Sequence, residues 1–123
     1  MKNKSKYFSP REFELCNPPC SIDDMQQSFL DLLDRIRDMA GIPLVLNCAF
    51  RSVDYDLAKG RSGDSAHCVG LAVDIRCSTS VNRFKILKAA ITCGIRRIGI
   101  GKNFIHLDID KTLPQNVIWH YYE

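Results

Sequence analysis

The segment SAHCVGLAVDI, residues 65–75, joins a polar turn to a buried strand and carries the strongest structural and chemical signal of the chain. Side chains of a strand alternate between its two faces, so Asp74 points away from the core if Val73 and Ile75 face inward. A carboxylate among apolar neighbours needs a partner. His67 precedes Asp74 by seven residues, and the glycine between them permits close backbone approach, so the two side chains can converge on one point.

The segment FIHLDI, residues 104–109, predicts a second strand with polar chemistry on one face. Alternation places His106 and Asp108 together on the face opposite Ile105 and Leu107. Two histidines and one aspartate suit Zn²⁺, and three protein ligands leave a fourth position for water. A metal hydrolase also needs a group that accepts the proton of that water, and Asp108 is the obvious candidate.

Each of these residues also has an ordinary structural explanation. His67 could be a solvated loop side chain, and His106 could be hydrogen-bonded within the sheet. Asp74 could cap a turn or pair with Arg51 or Arg76. The spacing alone therefore leaves both a metal site and these structural roles open.

Two helices are predicted before the first strand. The first starts at Pro10, just after a serine that can serve as its N-cap. The second starts at Ser21 and carries an apolar stripe from Met25 to Met39 at three- and four-residue spacing. Gly41 ends it.

Strands and one further helix follow these two helices. Strands are predicted at 44–46, 71–75, 97–100 and 104–109, and a helix at 81–93. The polar stretch 51–66 has no period and is predicted to be a long loop, which is uncommon in a small domain unless it has a function. We expect a single α+β domain in which N-terminal helices pack on a small, mainly antiparallel sheet.

Composition excludes several classes of protein. The 123 residues suffice for one compact domain, and no apolar run approaches the length of a membrane span. The net charge of +3 is too weakly basic for a typical nucleic-acid-binding protein. The basic N-terminus has no apolar segment behind it and does not resemble a secretory signal.

The six cysteines permit two interpretations. Cys48, Cys77 and Cys93 lie in apolar surroundings, where a free cysteine behaves as a small hydrophobic residue. We therefore expect most of the six to be reduced packing residues. The alternative is a zinc site that uses Cys16 and Cys20, which are separated by Asn-Pro-Pro.

Residues 65–75 also resemble the S-x-H-x-x-G-x-A-x-D-[IV] signature of the M15 peptidases at every fixed position. This family includes zinc D-Ala-D-Ala carboxypeptidases and phage endolysins and shares its fold with the Hedgehog signalling domain. The stretch CAFRS at 48–52 is similar to the family's S-[GA]-[YF]-R-S. FIHLD at 104–108 and the tail VIWHY at 117–121 resemble its small H-x-D branch, so the resemblance extends from Tyr7 onward.

The resemblance implies that His67, Asp74 and His106 bind one zinc ion. It further implies that Arg51 contacts a carboxylate or carbonyl oxygen of the substrate and that Ser65 supports the site by hydrogen bonding. The alternative for Arg51 is a structural salt bridge. The acids available for that salt bridge are Asp54, Asp56 and Asp74.

The chain departs from the family pattern at the catalytic base. Well-studied members carry an acidic residue three positions before the last zinc histidine, or a histidine two before it, where this chain has Asn103 and Phe104. Asp108 is therefore the predicted base, and His120 is a weaker candidate. The tail aromatics are expected to anchor the terminus to the core, while Trp119 is also a candidate for contacting substrate. These aromatics are Trp119, Tyr121 and Tyr122.

The resemblance implies a zinc metallopeptidase that cleaves peptidoglycan stem peptides by attack of zinc-bound water, as a carboxypeptidase or an endopeptidase. The alternative is a catalytically inactive, zinc-stabilised binding module of the same fold. We expect a monomer with a flexible tail at 1–6 and a peptidase domain at 7–123. Its partner would be the stem peptide, with no nucleic acid and no integral membrane association. Localisation stays open between release at phage lysis, a place in a virion, and another route of secretion.

Overall fold

The computed structural model describes residues 2–121, which form an α+β domain as predicted. The helices are α1 (Pro10–Glu14), α2 (Gln27–Ala40), α3 (Val53–Ala58) and α4 (Ser80–Thr92), with 3₁₀ turns at Ile22–Asp24 and Ala66–Val69. The strands are β1 (Leu46–Cys48), β2 (Ala72–Arg76), β3 (Arg97–Ile100), β4 (Phe104–Asp108) and β5 (Val117–His120). In this described part of the chain, no helix is both long enough and apolar enough for a membrane span.

The N-terminal helices confirm part of the prediction. α1 starts at Pro10, where Glu12 accepts a hydrogen bond from the backbone N–H of Ser9 at 2.7 Å. The predicted start of the second helix is wrong. Ser21 caps the short 3₁₀ turn, the backbone is extended at Met25, and α2 begins only at Gln27. α2 ends at a left-handed Gly41, as predicted.

The apolar stripe of α2 departs from the prediction at Met39. Phe29, Leu33 and Ile36 are fully buried, whereas Met39 is 53% exposed. The core side of the helix instead continues to its last residue, Ala40, which is 9% exposed and packs in the core.

The polar stretch 51–66 is not the structureless loop that was predicted. Ser52 accepts a hydrogen bond from the backbone N–H of Tyr55 at 3.0 Å and starts α3. Asp56, on the inward side of this helix, is fully buried. A buried charge in place of an apolar residue removes the period by which the helix could have been predicted.

The five strands form one sheet in the order β1-β2-β4-β3-β5. The first four pair antiparallel, and β5 lies parallel to β3 at the edge. β1 begins at Leu46, so the predicted strand at 44–46 is two residues early. β5 was not predicted, because this short edge strand, in which Ile118 is 60% exposed, is held by parallel pairing with β3 rather than by a local alternating pattern.

The core lies on one side of the central strands. Phe13, Phe29, Leu33 and Ile86 from three helices share one buried cluster with Val73, Ile75, Ile105 and Leu107 from β2 and β4. Strand alternation therefore directs Asp74, His106 and Asp108 to the other face of the sheet. That face carries the candidate site.

The segment predicted as a flexible tail contacts the domain. The backbone N–H of Asn3 donates to Asp23 at 2.9 Å, and the hydroxyl of Ser5 donates to Asp34 at 2.7 Å. These hydrogen bonds attach the segment to the 3₁₀ turn Ile22–Asp24 and to α2, while its flexibility in solution stays a prediction.

Two substitutions in α2 test which side of the helix faces the core. Leu33→Ala removes a fully buried side chain and should lower the free energy of unfolding by about 2–5 kcal/mol. Met39→Ala, on the same helix but exposed, should change it by less than about 0.5 kcal/mol. Chemical denaturation measures both values, and equal losses would contradict the described packing.

Candidate metal centre

Strands β2 and β4 place Asp74 and His106 side by side. The antiparallel register pairs these two residues directly. Val73 and Ile75, on either side of Asp74, are fully buried, so the two polar side chains share the outer face of the sheet. His106 Nδ1 lies 2.9 Å from Asp74 Oδ1.

The 3₁₀ turn Ala66–Val69 brings His67 to the same point. Ser65 caps this turn by accepting a hydrogen bond from the backbone N–H of His67 at 3.1 Å. Gly70 ends it with φ of 73°, and a Cβ there would lie 2.4 Å from the carbonyl oxygen of Asp24. Only glycine fits this position, and the tight turn leaves His67 just 2% exposed.

Three donor atoms from these residues form a compact triangle. His67 Nε2 lies 3.2 Å from His106 Nδ1 and 3.3 Å from Asp74 Oδ1, and the third side is 2.9 Å. Three ligands of a tetrahedral zinc ion, each at its usual bond length, lie about 3.3–3.4 Å apart. The triangle therefore has nearly the dimensions that zinc requires.

The outer nitrogen of each imidazole faces an acceptor. His67 Nδ1 lies 2.6 Å from the carbonyl oxygen of Ala49, and His106 Nε2 lies 2.6 Å from Asp108 Oδ2. Each outer nitrogen must donate to its acceptor, which leaves the inner nitrogen of a neutral ring with a lone pair. Two lone pairs and the Asp74 carboxylate then face one another, and a cation is the group that satisfies all three.

Burial and hydrogen bonding among these side chains shift the pKa values of the metal-free cluster. Burial lowers the pKa of His67, but hydrogen bonding to Asp74 and Cys48 outweighs it and raises that pKa to about 8. Burial raises the pKa of Asp74, but hydrogen bonds from both histidines outweigh it, so that pKa is lowered. Without a metal the cluster therefore retains a proton, which a metal must displace on binding.

A second donor set overlaps the first. Cys48, His67 and Asp74 have ligand atoms that all lie within 4.8 Å of one another. The Cys48 sulfur, however, lies 3.8 Å from His67 Nδ1, the nitrogen that faces Ala49. We favour the set with His106, because His67 directs Nε2, the nitrogen with the free lone pair, toward His106 and Asp74.

The six cysteines are free thiols, as predicted for most of them.

Asp108, the predicted base, is fully buried and has both carboxylate oxygens engaged. Oδ2 faces His106 Nε2, while Oδ1 accepts hydrogen bonds from Arg97 Nε at 2.7 Å and from the backbone N–H of Asp110 at 3.1 Å. Burial raises the pKa of Asp108, but the contact with His106 outweighs it and lowers that pKa. These contacts fit a carboxylate that orients His106, and its role as a base stays a prediction.

An open cleft of about 330 Å³ lies over the triangle. Arg51, Ser65 and Trp119, all predicted to contact or support substrate, line it together with the three donors. Other lining residues that sequence reasoning did not assign to the site are Arg61, Ala66, Phe104, Leu113 and Tyr121. Arg61 gave no signal because it lies in the polar stretch 51–66, where many residues are charged.

Arg51 combines the two roles weighed for it. Its Nε forms an ion pair with Asp56 Oδ1 at 3.0 Å, which identifies Asp56 as its partner among the three acids considered. Its second amino group donates to Ser65 Oγ at 3.1 Å, and the side chain also lines the cleft. The salt bridge therefore holds Arg51 without removing it from the site.

The tail aromatics form a wall of the cleft, and the prediction that they anchor the core is wrong for Trp119 and Tyr121. The Trp119 ring centroid lies 5.5 Å from that of His106, and Tyr121 is 51% exposed. Gly99 makes room for both, because a Cβ there would lie within 2.7 Å of each ring. Tyr122 lies outside the described residues. His120 is exposed and, in the described part of the chain, is not among the cleft residues.

Comparison with known protein families identifies the family of this chain. The family model described as Peptidase M15 matches residues 6–108, most of the sequence. The chain belongs to the M15 peptidases. A comparison with curated protein sequences gives no match. Membership supports a peptidase with a metal requirement, and the matched range contains every donor of the triangle.

Zinc binding tests which donors hold the metal. The wild-type protein should bind one zinc ion. His67→Ala should weaken zinc binding by more than about 100-fold, because it removes a ligand. Cys48→Ser, a nearly isosteric change on the other side of the same imidazole, should retain affinity within about threefold. Metal analysis and competition titration measure these affinities, with circular dichroism as a check on folding. An equal loss in both variants would favour the set with Cys48.

Proposed function

We propose that this M15 chain is a zinc-dependent hydrolase of peptide bonds in peptidoglycan stem peptides. The observation that carries the proposal is the triangle of three donor atoms, 2.9–3.3 Å apart, on the floor of a cleft that also contains Arg51. Membership of the M15 peptidases supports the reaction class.

Three residues would hold the metal, and the surrounding groups prepare them for it. His67, Asp74 and His106 would be the ligands, with Ala49 and Asp108 holding the outer protons of the two imidazoles. Bound zinc supplies Lewis-acid polarisation of a carbonyl and makes water a better nucleophile at neutral pH.

Arginine side chains supply substrate recognition in this proposal. Arg51 and Arg61 line the cleft, and a guanidinium binds a carboxylate or a developing oxyanion by charge-assisted hydrogen bonds. Peptidoglycan stem peptides carry such carboxylates. Trp119 offers a broad apolar surface against which a peptide could lie at the β5 wall of the cleft.

Asp108 would act mainly through His106. Its contact with Nε2 fixes the tautomer that leaves Nδ1 free as a ligand, and Arg97 holds the carboxylate in place. A positioned ligand of this kind affects metal affinity, whereas a catalytic base affects the rate alone.

A second candidate function is a zinc-stabilised binding module without catalysis. Among the described residues that line the cleft, the acidic ones are Asp74 and Asp108. The first would be a ligand, and the second has both oxygens engaged. The shortage of a free carboxylate is the specific observation that favours this alternative.

Purified muropeptides and mass spectrometry test the proposal directly. Zinc-loaded wild-type protein should release peptide fragments that together have gained one water, and His67→Ala should release none. Arg51→Ala should lower kcat/KM by about 100-fold or more, since one donor to an oxyanion is typically worth that much. Zinc-dependent binding of muropeptides without cleavage would support the binding module, and neither binding nor cleavage would contradict both candidates.

Asp108→Asn, measured in the same assay, separates its two roles. If Asp108 positions His106, zinc affinity should fall about 10- to 100-fold and excess zinc should restore much of the rate. If Asp108 is the base, the rate should stay low at saturating zinc with affinity unchanged.

A further inference from the structure

Asp56 is a fully buried carboxylate that the proposed reaction does not use. It lies on α3, in the stretch where sequence reasoning found no element, and it is not among the residues that line the cleft. Buried carboxylates require partners, and charges are rarely buried without them. Its partners therefore indicate what it does.

Most of those partners belong to the wall of the cleft. Asp56 Oδ1 lies 3.0 Å from Arg51 Nε and 3.8 Å from an amino group of Arg61, and Oδ2 accepts a hydrogen bond from the Cys68 thiol at 3.2 Å. The Arg51 side chain is only 13% exposed, whereas that of Arg61 is 47% exposed. The contact of Asp56 with Arg51 is therefore shorter and better shielded from water than its contact with Arg61.

Arg51 is in turn connected to the metal donors. One amino group donates to Ser65 Oγ at 3.1 Å, and the same oxygen accepts from the backbone N–H of His67 at 3.1 Å. The backbone N–H of Arg51 donates to the carbonyl oxygen of His67 at 3.2 Å. A continuous series of contacts therefore runs from Asp56 through Arg51 to the turn that carries His67.

We propose that Asp56 is a positioning residue that fixes the guanidinium of Arg51 at the wall of the cleft, at a set distance from the metal donors. The charge of Asp56 lies beside Nε as an ion pair at 3.0 Å, and Ser65 accepts a hydrogen bond from one amino group, so the guanidinium is held from two sides. The remaining amino group has one long contact, with the Cys48 sulfur at 4.0 Å, and is therefore the one that can bind a carboxylate or oxyanion of the substrate. This inference rests on the proposed function for its kinetic consequence but not for the geometry of Arg51.

A mutant cycle with Arg51 tests the kinetic consequence. Asp56→Asn keeps the size of the side chain and removes its charge, and it should lower kcat/KM by up to about 100-fold, as displacement of a catalytic group does. Zinc affinity should stay unchanged, because Asp56 contacts none of the three donors. Asp54→Asn, an exposed neighbour on the same helix, should have no effect. In an Arg51→Ala background, Asp56→Asn should change kcat/KM by less than about threefold.

A second readout is independent of hydrolysis. The Nε–H group of Arg51, followed by ¹⁵N relaxation in the zinc-loaded protein, should be rigid in wild type and in Asp54→Asn but mobile in Asp56→Asn. Failure of wild type to cleave muropeptides would count against the proposed function and leave this readout intact. A mobile Arg51 in wild type, an Arg51 that stays rigid in Asp56→Asn, or equal kinetic losses in both Arg51 backgrounds would overturn the positioning role.

Discussion

Three acceptor atoms face one another on the outer side of the sheet, and the site depends on what neutralises them. His67 Nε2, Asp74 Oδ1 and His106 Nδ1 lie within 3.3 Å of each other, because two strands pair Asp74 with His106 and a tight turn adds His67. Without a cation, this arrangement holds protons at raised histidine pKa values. A metal bound here would therefore stabilise the site, because it would replace these protons.

A ring of supporting contacts makes the arrangement specific. Ala49 and Asp108 select the imidazole tautomers, and Arg97 holds Asp108. At the cleft, Asp56 forms an ion pair with Arg51 and Ser65 accepts a hydrogen bond from it. Some charged residues are thus candidate ligands or substrate contacts, and others hold those residues in place. These supporting contacts explain several of the buried polar side chains in this small domain.

Local sequence patterns predicted the face of the sheet but not all of its surroundings. Alternation around Asp74 and His106 placed both side chains opposite the core, because strand periodicity is a local property. α3 was missed since its buried residue is a carboxylate stabilised by Arg51, a contact with no sequence period. Likewise β5 and the place of Trp119 depend on pairing with β3 and on the space above Gly99, which are tertiary effects.

X-ray absorption at the zinc edge of the loaded protein tests the central assignment most directly. We expect a first shell of nitrogen and oxygen at about 2.0–2.1 Å, with the scattering of two imidazoles and no sulfur. A sulfur shell near about 2.3 Å would contradict it and would place the metal on Cys48 or on the pair Cys16 and Cys20.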